Sequence, residues 1–270
     1  GIIPTNFDNV RRIFDGVLND QIVLQRSNKE HAQELSALSL RVDQIMSNPD
    51  TGLNGSLQHF FNQLEAFTTN PGDPVQGQLL LDGAEGLTNR FSDLNTSLES
   101  MARENNARVV DLVGEINGYA DSISNLNRRL RESPAGSPSN DLADQRDQLV
   151  RELSDLVSVT AVVQDSGPMN VYLSGGHALV VGTTASHLQT GQNVFDASRV
   201  EVMTELGSTL TQNISGGQLG GLVEFRASVL DPTFNALGRL AVGLTDGFNS
   251  QHRLGLDKQG ALGQEFFSTI

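Results

Sequence analysis

Steps of three and four residues separate a series of twelve positions that runs without a break through the first 45 residues. Nine of these positions hold apolar side chains. Such spacing is a heptad pattern, which places the side chains along one face of a helix that can pair with another helix. A helix that covers the series is about 60 Å long. The residues are Phe7, Val10, Phe14, Val17, Gln21, Leu24, Asn28, His31, Leu35, Leu38, Val42 and Ile45.

The three polar members of this seam lie in its middle: Gln21, Asn28 and His31. A polar residue in a helix seam usually sets register or choice of partner at some cost in stability. We therefore predict that these three residues make packing or subunit contacts. No second histidine lies on the same helix face at metal-ligand spacing, so His31 is interpreted as an interfacial histidine and not as a metal ligand.

A second long helix is predicted from about Val75 to Glu132, after a short helix near residues 53–67 and the breaking sequence TTNPGDP. Two four-residue steps in succession, at positions 101, 105 and 109, join its two apolar series and form a stutter. We expect the glycines at 77, 83, 86, 114 and 118 to mark places where another backbone comes close. The two series are Leu87, Phe91, Leu94, Leu98, Met101 and Asn105, then Val109, Leu112, Ile116, Tyr119, Ile123, Leu126 and Leu130.

A shorter helix is predicted from Asn140 to near Leu156, and Arg146 occupies an apolar position of its stripe. Asp144 and Asp147 flank this arginine. A carboxylate that acts as a general acid needs a raised pKa, whereas a neighbouring arginine favours the ionised form. We therefore interpret Arg146 as a packing residue that ties its helix to another helix or to backbone carbonyls.

The pattern then changes to short β-branched runs, VSVTAVV, MNVYL, HALVV, RVEVM and STLTQNI, which predict hairpin strands. Helix resumes near Leu219 and is predicted to break at Asp231-Pro232.

The predicted fold class is mainly α with a small β part: an elongated bundle of long, coiled-coil-like helices with an inserted antiparallel hairpin region. The predicted divisions are 1–158 for the long-helix bundle, 159–215 for the β region, 216–254 for returning helices and 255–270 for an irregular exit segment. We expect the seam of the first helix and the β region to carry the subunit contacts.

The sequence contains no assembled set of catalytic residues, and we predict neither enzyme activity nor a cofactor. Its two glycine pairs, in ISGGQLGGLVEF, lack the lysine and hydroxyl of a phosphate-binding loop, and we interpret them as close packing at a helix start. There are no cysteines, and the net charge of −14 disfavours nucleic acid and anionic membranes as partners.

Several segments, in this order, resemble the bacterial flagellar hook-associated protein 1 (FlgK) family. They are INGYADSISNLN, NDLADQRDQLVRELSDLVSV, SGGQLGGLVEFRASVLD, NALGRLAVGLTDGFNSQHRLGLD and the final FF pair. The resemblance covers nearly the whole chain, and the DQRDQLV stretch is its most specific part.

The resemblance implies a structural subunit at the junction between hook and filament, located outside the cell and exported by the flagellar type III system without a cleaved signal peptide. The implied partners are further copies in a junction ring, the hook protein, hook-associated protein 3 and an export chaperone whose site lies outside this stretch. The family pattern further implies a core fragment that lacks the terminal helices and an outer domain.

Three alternatives remain, of which the first belongs to the same class of protein and the other two to different classes. Flagellin or hook-associated protein 3 shares long N-terminal helices and the export route, although the DQRDQLV helix and the glycine-rich return fit hook-associated protein 1 better. A surface adhesin would bind host cells or matrix, but the sequence encodes no ligand pocket. An enzyme would show mutation-sensitive turnover.

Overall fold

The computed structural model describes residues 16–48, 52–133, 140–164, 167–257 and 259–268. Four helices come first: α1 (Gly16–Ser47), α2 (Leu53–Thr69), α3 (Pro74–Glu132) and α4 (Asn140–Leu156). Six short strands follow, and then α5 (Gly217–Phe225), a π-helical segment (Arg226–Leu230) and α6 (Asp231–His252). The prediction of long helices with a small antiparallel β part is confirmed.

The strands form two antiparallel sheets. The first has the order β1 (Val159–Val163), β2 (Met169–Leu173), β3 (Ala178–Val181) and β4 (Thr184–Ala185). The second pairs β5 (Leu188–Gln192) with β6 (Val200–Thr204).

The strand predictions contain one error and two omissions, the two-residue strand β4 and the strand β5. The run STLTQNI is not a strand: it makes a single bridge at Thr209 and then the 3-10 turn Thr211–Asn213. The missed strand β5 reads LQTGQ, whose polar side chains and glycine give no strand signal. Its pairing with β6 comes from tertiary context.

Among the described residues the chain divides into two compact units. The first contains Gly1–Leu35 and Asn106–Val223, and the second contains Ser36–Asn105 and Glu224–Ile270. The predicted divisions near residues 158, 215 and 254 stay a prediction.

The buried face of α3 follows its predicted seam. Ten of the thirteen seam residues are buried, and Phe91, Tyr119 and Leu130 are half-buried. Of its glycines, Gly83 approaches α2, since an added Cβ would lie 3.7 Å from the Cα of Phe60. The prediction of close backbone approach is wrong for Gly86, Gly114 and Gly118, around which no atom lies within 4 Å of an added Cβ.

An aromatic cluster forms part of the core of the second unit. Phe60 of α2 is fully buried, and its ring centroid lies 5.4 Å from that of Phe248 and 5.8 Å from that of Phe267. Asn249 fixes the segment after α6, because its amide donates to the Phe267 carbonyl at 2.8 Å and its carbonyl accepts from the N–H groups of Phe266 and Phe267.

A new α-helix, α6, begins at Asp231 with Pro232 in its first turn, as predicted. The predicted interruption is wrong, because a π-helical segment keeps the backbone helical from Gly217 to His252. The N–H of Asp231 donates to the carbonyl of Arg226, five residues back. A π-helical turn widens the helix ahead of the proline, whose ring would otherwise meet a carbonyl of the preceding turn. The hydroxyl of Thr233 donates to the Val229 carbonyl at 2.6 Å.

Candidate functional site

The first half of the predicted α1 seam lies in water. Val17 and Leu24 are 70% and 51% exposed, and Gln21 and Asn28 are exposed as well. The buried face of this half instead contains Asn19, Val23 and Ser27. We name Val17, Gln21, Leu24 and Asn28 the α1 stripe. The predicted role of Gln21 and Asn28 in packing or subunit contacts stays a prediction.

The second half of the seam faces the interior. Val42 is buried, and Leu35, Leu38 and Ile45 are half-buried. The remaining predicted seam residues Phe7, Val10 and Phe14 lie outside the described residues.

Polar contacts with α4 fix the orientation of α1 in the first unit. The guanidinium of Arg26 binds Asp155 through two nitrogens, with Nε at 2.8 Å from Oδ1. This hydrogen bond raises the pKa of Arg26 above its ordinary value. Arg151 donates to the side-chain carbonyl of Asn19 at 3.1 Å. These bonds turn the Asn19 face inward and leave the α1 stripe outside.

Close packing of α5 places His31 at a helix crossing. An added Cβ on Gly221 would lie 3.0 Å from the His31 carbonyl oxygen and 2.9 Å from the Cβ of Glu34. An added Cβ on Gly220 would lie 3.4 Å from the His31 ring. The interpretation of this glycine pair as close packing against a neighbouring backbone is therefore confirmed. His31 itself is half-buried.

The other glycine pair makes the turn into α5. Gly216 and Gly217 have φ angles of +62° and +59°, a region that other residues rarely adopt. A side chain on Gly217 would collide with the backbone at Leu156–Val157. Their glycine character is explained by conformation and sterics without any bound phosphate.

Arg146 lies at the centre of a buried polar network and is only 3% exposed. Its Nη1 donates to the Asn127 side chain at 3.2 Å and to the Gly167 carbonyl at 3.0 Å, while its Nε lies 3.9 Å from Asp147. Asn127 in turn donates to the carbonyls of Met169 and Gly182. Arg146 thus links α4 with α3 and with a hairpin turn. Asp144 is exposed.

Side chains cover parts of the edges of the β5–β6 sheet. The amide of Asn117 bonds both the N–H and the carbonyl of Leu188, the hydroxyl of Thr211 accepts from the Val202 N–H, and Asn106 accepts from Val200. Such bonds occupy backbone groups that could otherwise pair with a strand of another molecule.

The loop between β5 and β6 exposes two apolar residues, Val194 at 89% and Phe195 at 98%. This exposed pair was not predicted from the sequence. A signal was present, since VF stands between Asn193 and Asp196, residues that fix turns by bonding nearby backbone N–H groups.

The described part of the chain contains no group of three or more histidine or carboxylate side chains that could hold a metal ion. His187, for example, has Asp121 at 2.9 Å from one ring nitrogen and Glu205 at 3.6 Å from the other, so the two carboxylates lie on opposite sides of the ring.

Burial, with a contribution from Glu152, raises the pKa of the Tyr119 hydroxyl. In the described part of the chain, no helix has the length and apolar character needed to cross a bilayer.

Comparison with known proteins places this architecture in a family. A family model described as "Flagellar hook-associated protein FlgK helical domain" matches residues 39–267. Flagellar hook-associated protein 1 of Salmonella typhimurium is 36% identical over 96% of this chain and 48% of its own length, and that of Escherichia coli K12 is 34% identical over 96% and 49%. The chain thus spans about half the length of the curated relatives it matches.

A solved structure agrees with these matches. The flagellar hook junction protein FlgK from Burkholderia pseudomallei superposes with a TM-score of 0.81 at 29% identity, over 93% of this chain and 46% of that one. The helical-domain match and the shared fold together cover the helices, the β region and the return through α6. The chain therefore belongs to the FlgK family of flagellar hook-associated proteins.

Proposed function

We propose that this chain is the helical part of a structural subunit at the junction of the flagellar hook and filament. The family and the names of its members support this role. The observation that carries it is the α1 stripe, a heptad-spaced row that this chain leaves in water although half of it is apolar. Heptad rows mark faces that pack against another helix.

Partners and location follow from the same proposal. The subunit contacts further copies of itself, the hook protein and hook-associated protein 3, and it reaches the outside of the cell through the flagellar type III exporter. An export chaperone binds elsewhere in the protein. The function is mechanical, without catalysis or a cofactor.

Electron microscopy of a strain that lacks the gene tests the proposed role. We expect hooks without filaments, with rescue by the intact gene. Normal hooks that carry full filaments in the deletion strain contradict the proposal.

A pair of matched variants tests the α1 stripe. Leu24→Glu places a charge on the stripe, and Leu40→Glu places one at a similarly exposed position of α1 off the stripe, since Leu24 and Leu40 are 51% and 57% exposed. We expect the first variant to lose filaments and the second to keep them, with both proteins folded by circular dichroism. Equal behaviour of the two variants contradicts the role of the stripe.

A further inference from the structure

We propose that residues 187–211 form a strap that closes along α3 and opens as a unit while the helices around it stay folded. The strap contains β5, the loop after it, β6 and the turn that leads to Thr211. It lies within the first compact unit. Polar side chains fasten it to α3, and few apolar side chains help to hold it there.

Two asparagines of α3 fasten the strap at opposite ends of the β5–β6 hairpin. The amide of Asn117 donates to the Leu188 carbonyl and its side-chain carbonyl accepts from the Leu188 N–H, both at 2.8 Å. At the loop end, the amide of Asn106 donates to the Ser198 carbonyl at 2.6 Å, and its carbonyl accepts from the Val200 N–H at 3.3 Å. Each asparagine thus bonds the strap as the backbone of a neighbouring strand would.

The spacing of the two asparagines matches the length of the hairpin. Positions 106 and 117 are eleven residues apart, which corresponds to about 16 Å along a helix axis. The five steps from Leu188 to Asn193 span about 17 Å in an extended strand. The hairpin therefore lies along α3, with its base near Asn117 and its loop near Asn106. One turn beyond Asn117, Asp121 adds a bond to the His187 ring at 2.9 Å.

Little apolar surface holds the strap closed. Within residues 187–211, all of which the structure describes, the buried hydrophobic residues are Leu188 and Val202. A two-stranded sheet is only marginally stable by itself. Segments with few buried apolar contacts and many solvent-exposed hydrogen bonds are also those that open locally in folded proteins. The closed state of the strap therefore depends on the asparagine bonds more than on a hydrophobic core.

Both ends of the strap are fixed in the region of the four-stranded sheet. Just before the strap, the Ser186 N–H donates to the Leu179 carbonyl at 2.8 Å. Just after it, Asn213 packs closely against Gly175, where an added Cβ would lie 3.1 Å from the Asn213 carbonyl oxygen. Opening therefore pivots at these two anchors and leaves the four-stranded sheet in place.

Opening changes the surface of this part of the chain. In the closed state Leu188 and Val202 are 2% and 0% exposed. Release of the strap brings both side chains into water and uncovers the face of α3 between Asn106 and Asn117. The two asparagines thus set how often this face is uncovered.

Thiol labelling measures the opening directly, because the chain contains no native cysteine. Val202→Cys places a thiol in the strap, and Val150→Cys places one in α4 of the same unit; both valines are 0% exposed. An aromatic disulfide reagent reaches the first thiol when the strap opens and the second only when the unit unfolds.

Three further substitutions separate the strap from the rest of the unit. Asn117→Asp keeps the size of the side chain but removes the donor to the Leu188 carbonyl. Asn125→Asp is its matched control, since Asn125 is exposed on the same helix and undergoes the same change in charge. Val157→Ala weakens the core outside the strap, because Val157 is 1% exposed at the end of α4.

We expect the Val202→Cys variant to be labelled at least about 100-fold faster than the Val150→Cys variant. Asn117→Asp should accelerate labelling of Val202→Cys about tenfold, and Asn125→Asp should not change it. Val157→Ala should accelerate labelling of Val150→Cys but not of Val202→Cys, since the open state keeps that core. Equal rates for the two cysteine variants overturn the proposal. So does acceleration of both by Val157→Ala, or an Asn117→Asp variant that behaves like Asn125→Asp.

Hydrogen exchange of the unsubstituted chain tests the strap even if Val202→Cys does not fold. Protection factors of the β5 and β6 amides should be at least about tenfold lower than those of α3 between residues 109 and 123. Equal protection of the two segments contradicts the strap. Both measurements use the purified chain, so their outcome is independent of the junction role proposed above.

Discussion

Arg146 shows how one charged residue can occupy a buried position of an apolar stripe. Its guanidinium has a carboxylate, a side-chain amide and a backbone carbonyl within reach, so the charge is compensated on several sides. Burying a charge without such partners is strongly unfavourable. The heptad position determined that the side chain is buried, and the polar network determined that an arginine is tolerated there.

Replacing Arg146 by leucine is expected to lower the free energy of unfolding by about 3–5 kcal/mol, because buried Asp147 loses the adjacent cation. Urea denaturation measures the change. Arg103→Leu is the matched control: this arginine is exposed beside Glu99, and its loss should cost at most about 0.5 kcal/mol. A loss below about 1 kcal/mol for Arg146→Leu contradicts the structural role.

Two buried asparagines of α3 should respond in opposite directions to the same substitution. Neither polar side-chain atom of Asn105, at the stutter, has a hydrogen-bond partner within the described ranges. The side-chain amide of Asn127, in contrast, donates to the Met169 carbonyl, and its side-chain carbonyl accepts from the Met169 N–H. We expect Asn105→Leu to raise the free energy of unfolding by about 1–3 kcal/mol and Asn127→Leu to lower it by a similar amount. Parallel urea titrations decide this, and destabilisation by Asn105→Leu would show that a polar group at the stutter is required.

At the scale of elements, the turn into α5 is decided by contacts that lie far apart in the sequence. Gly217 is left-handed and meets the end of α4, while Gly221 meets α1 in the turn that follows. The sequence indicates flexible residues at this position. Only the packing of the folded chain shows that these glycines have no room for a side chain.

Two glycine-to-alanine substitutions therefore separate sterics from helix propensity. Gly217→Ala should cost about 3 kcal/mol, the sum of the left-handed conformation and the collision with Leu156–Val157. Gly118→Ala in α3 should instead stabilise by about 0.5–1 kcal/mol, because its added Cβ meets no atom within 4 Å. Thermal unfolding of both variants provides the measurement, and equal shifts would rule out the close approach at Gly217.

At the scale of the whole molecule, the charge of −14 opposes self-association, and apolar contacts through the α1 stripe would act against it. Raising the ionic strength from about 10 mM to 150 mM shortens the screening length from roughly 30 to 8 Å. We therefore expect association of the chain, followed by sedimentation velocity, to strengthen with salt. An association that weakens with salt would indicate attraction between opposite charges and not an apolar contact.

The sequence by itself determined the elements and the buried face of α3, from Leu87 through Leu126. Helical periodicity is a local property, and that helix packs along the face where its apolar residues lie. The same reasoning placed Arg146 in the interior and identified the β region. It missed the two-residue strand β4 and also β5, whose polar residues are held as a strand by β6.

The tertiary structure alone decided which face of α1 is buried. A heptad series marks a face suited to packing but does not specify the partner, and bonds from Asp155 and Arg151 turn the Asn19 face inward instead. Periodicity is set by neighbours along the chain, whereas the buried face of α1 depends on bonds to residues 129 and 132 positions away.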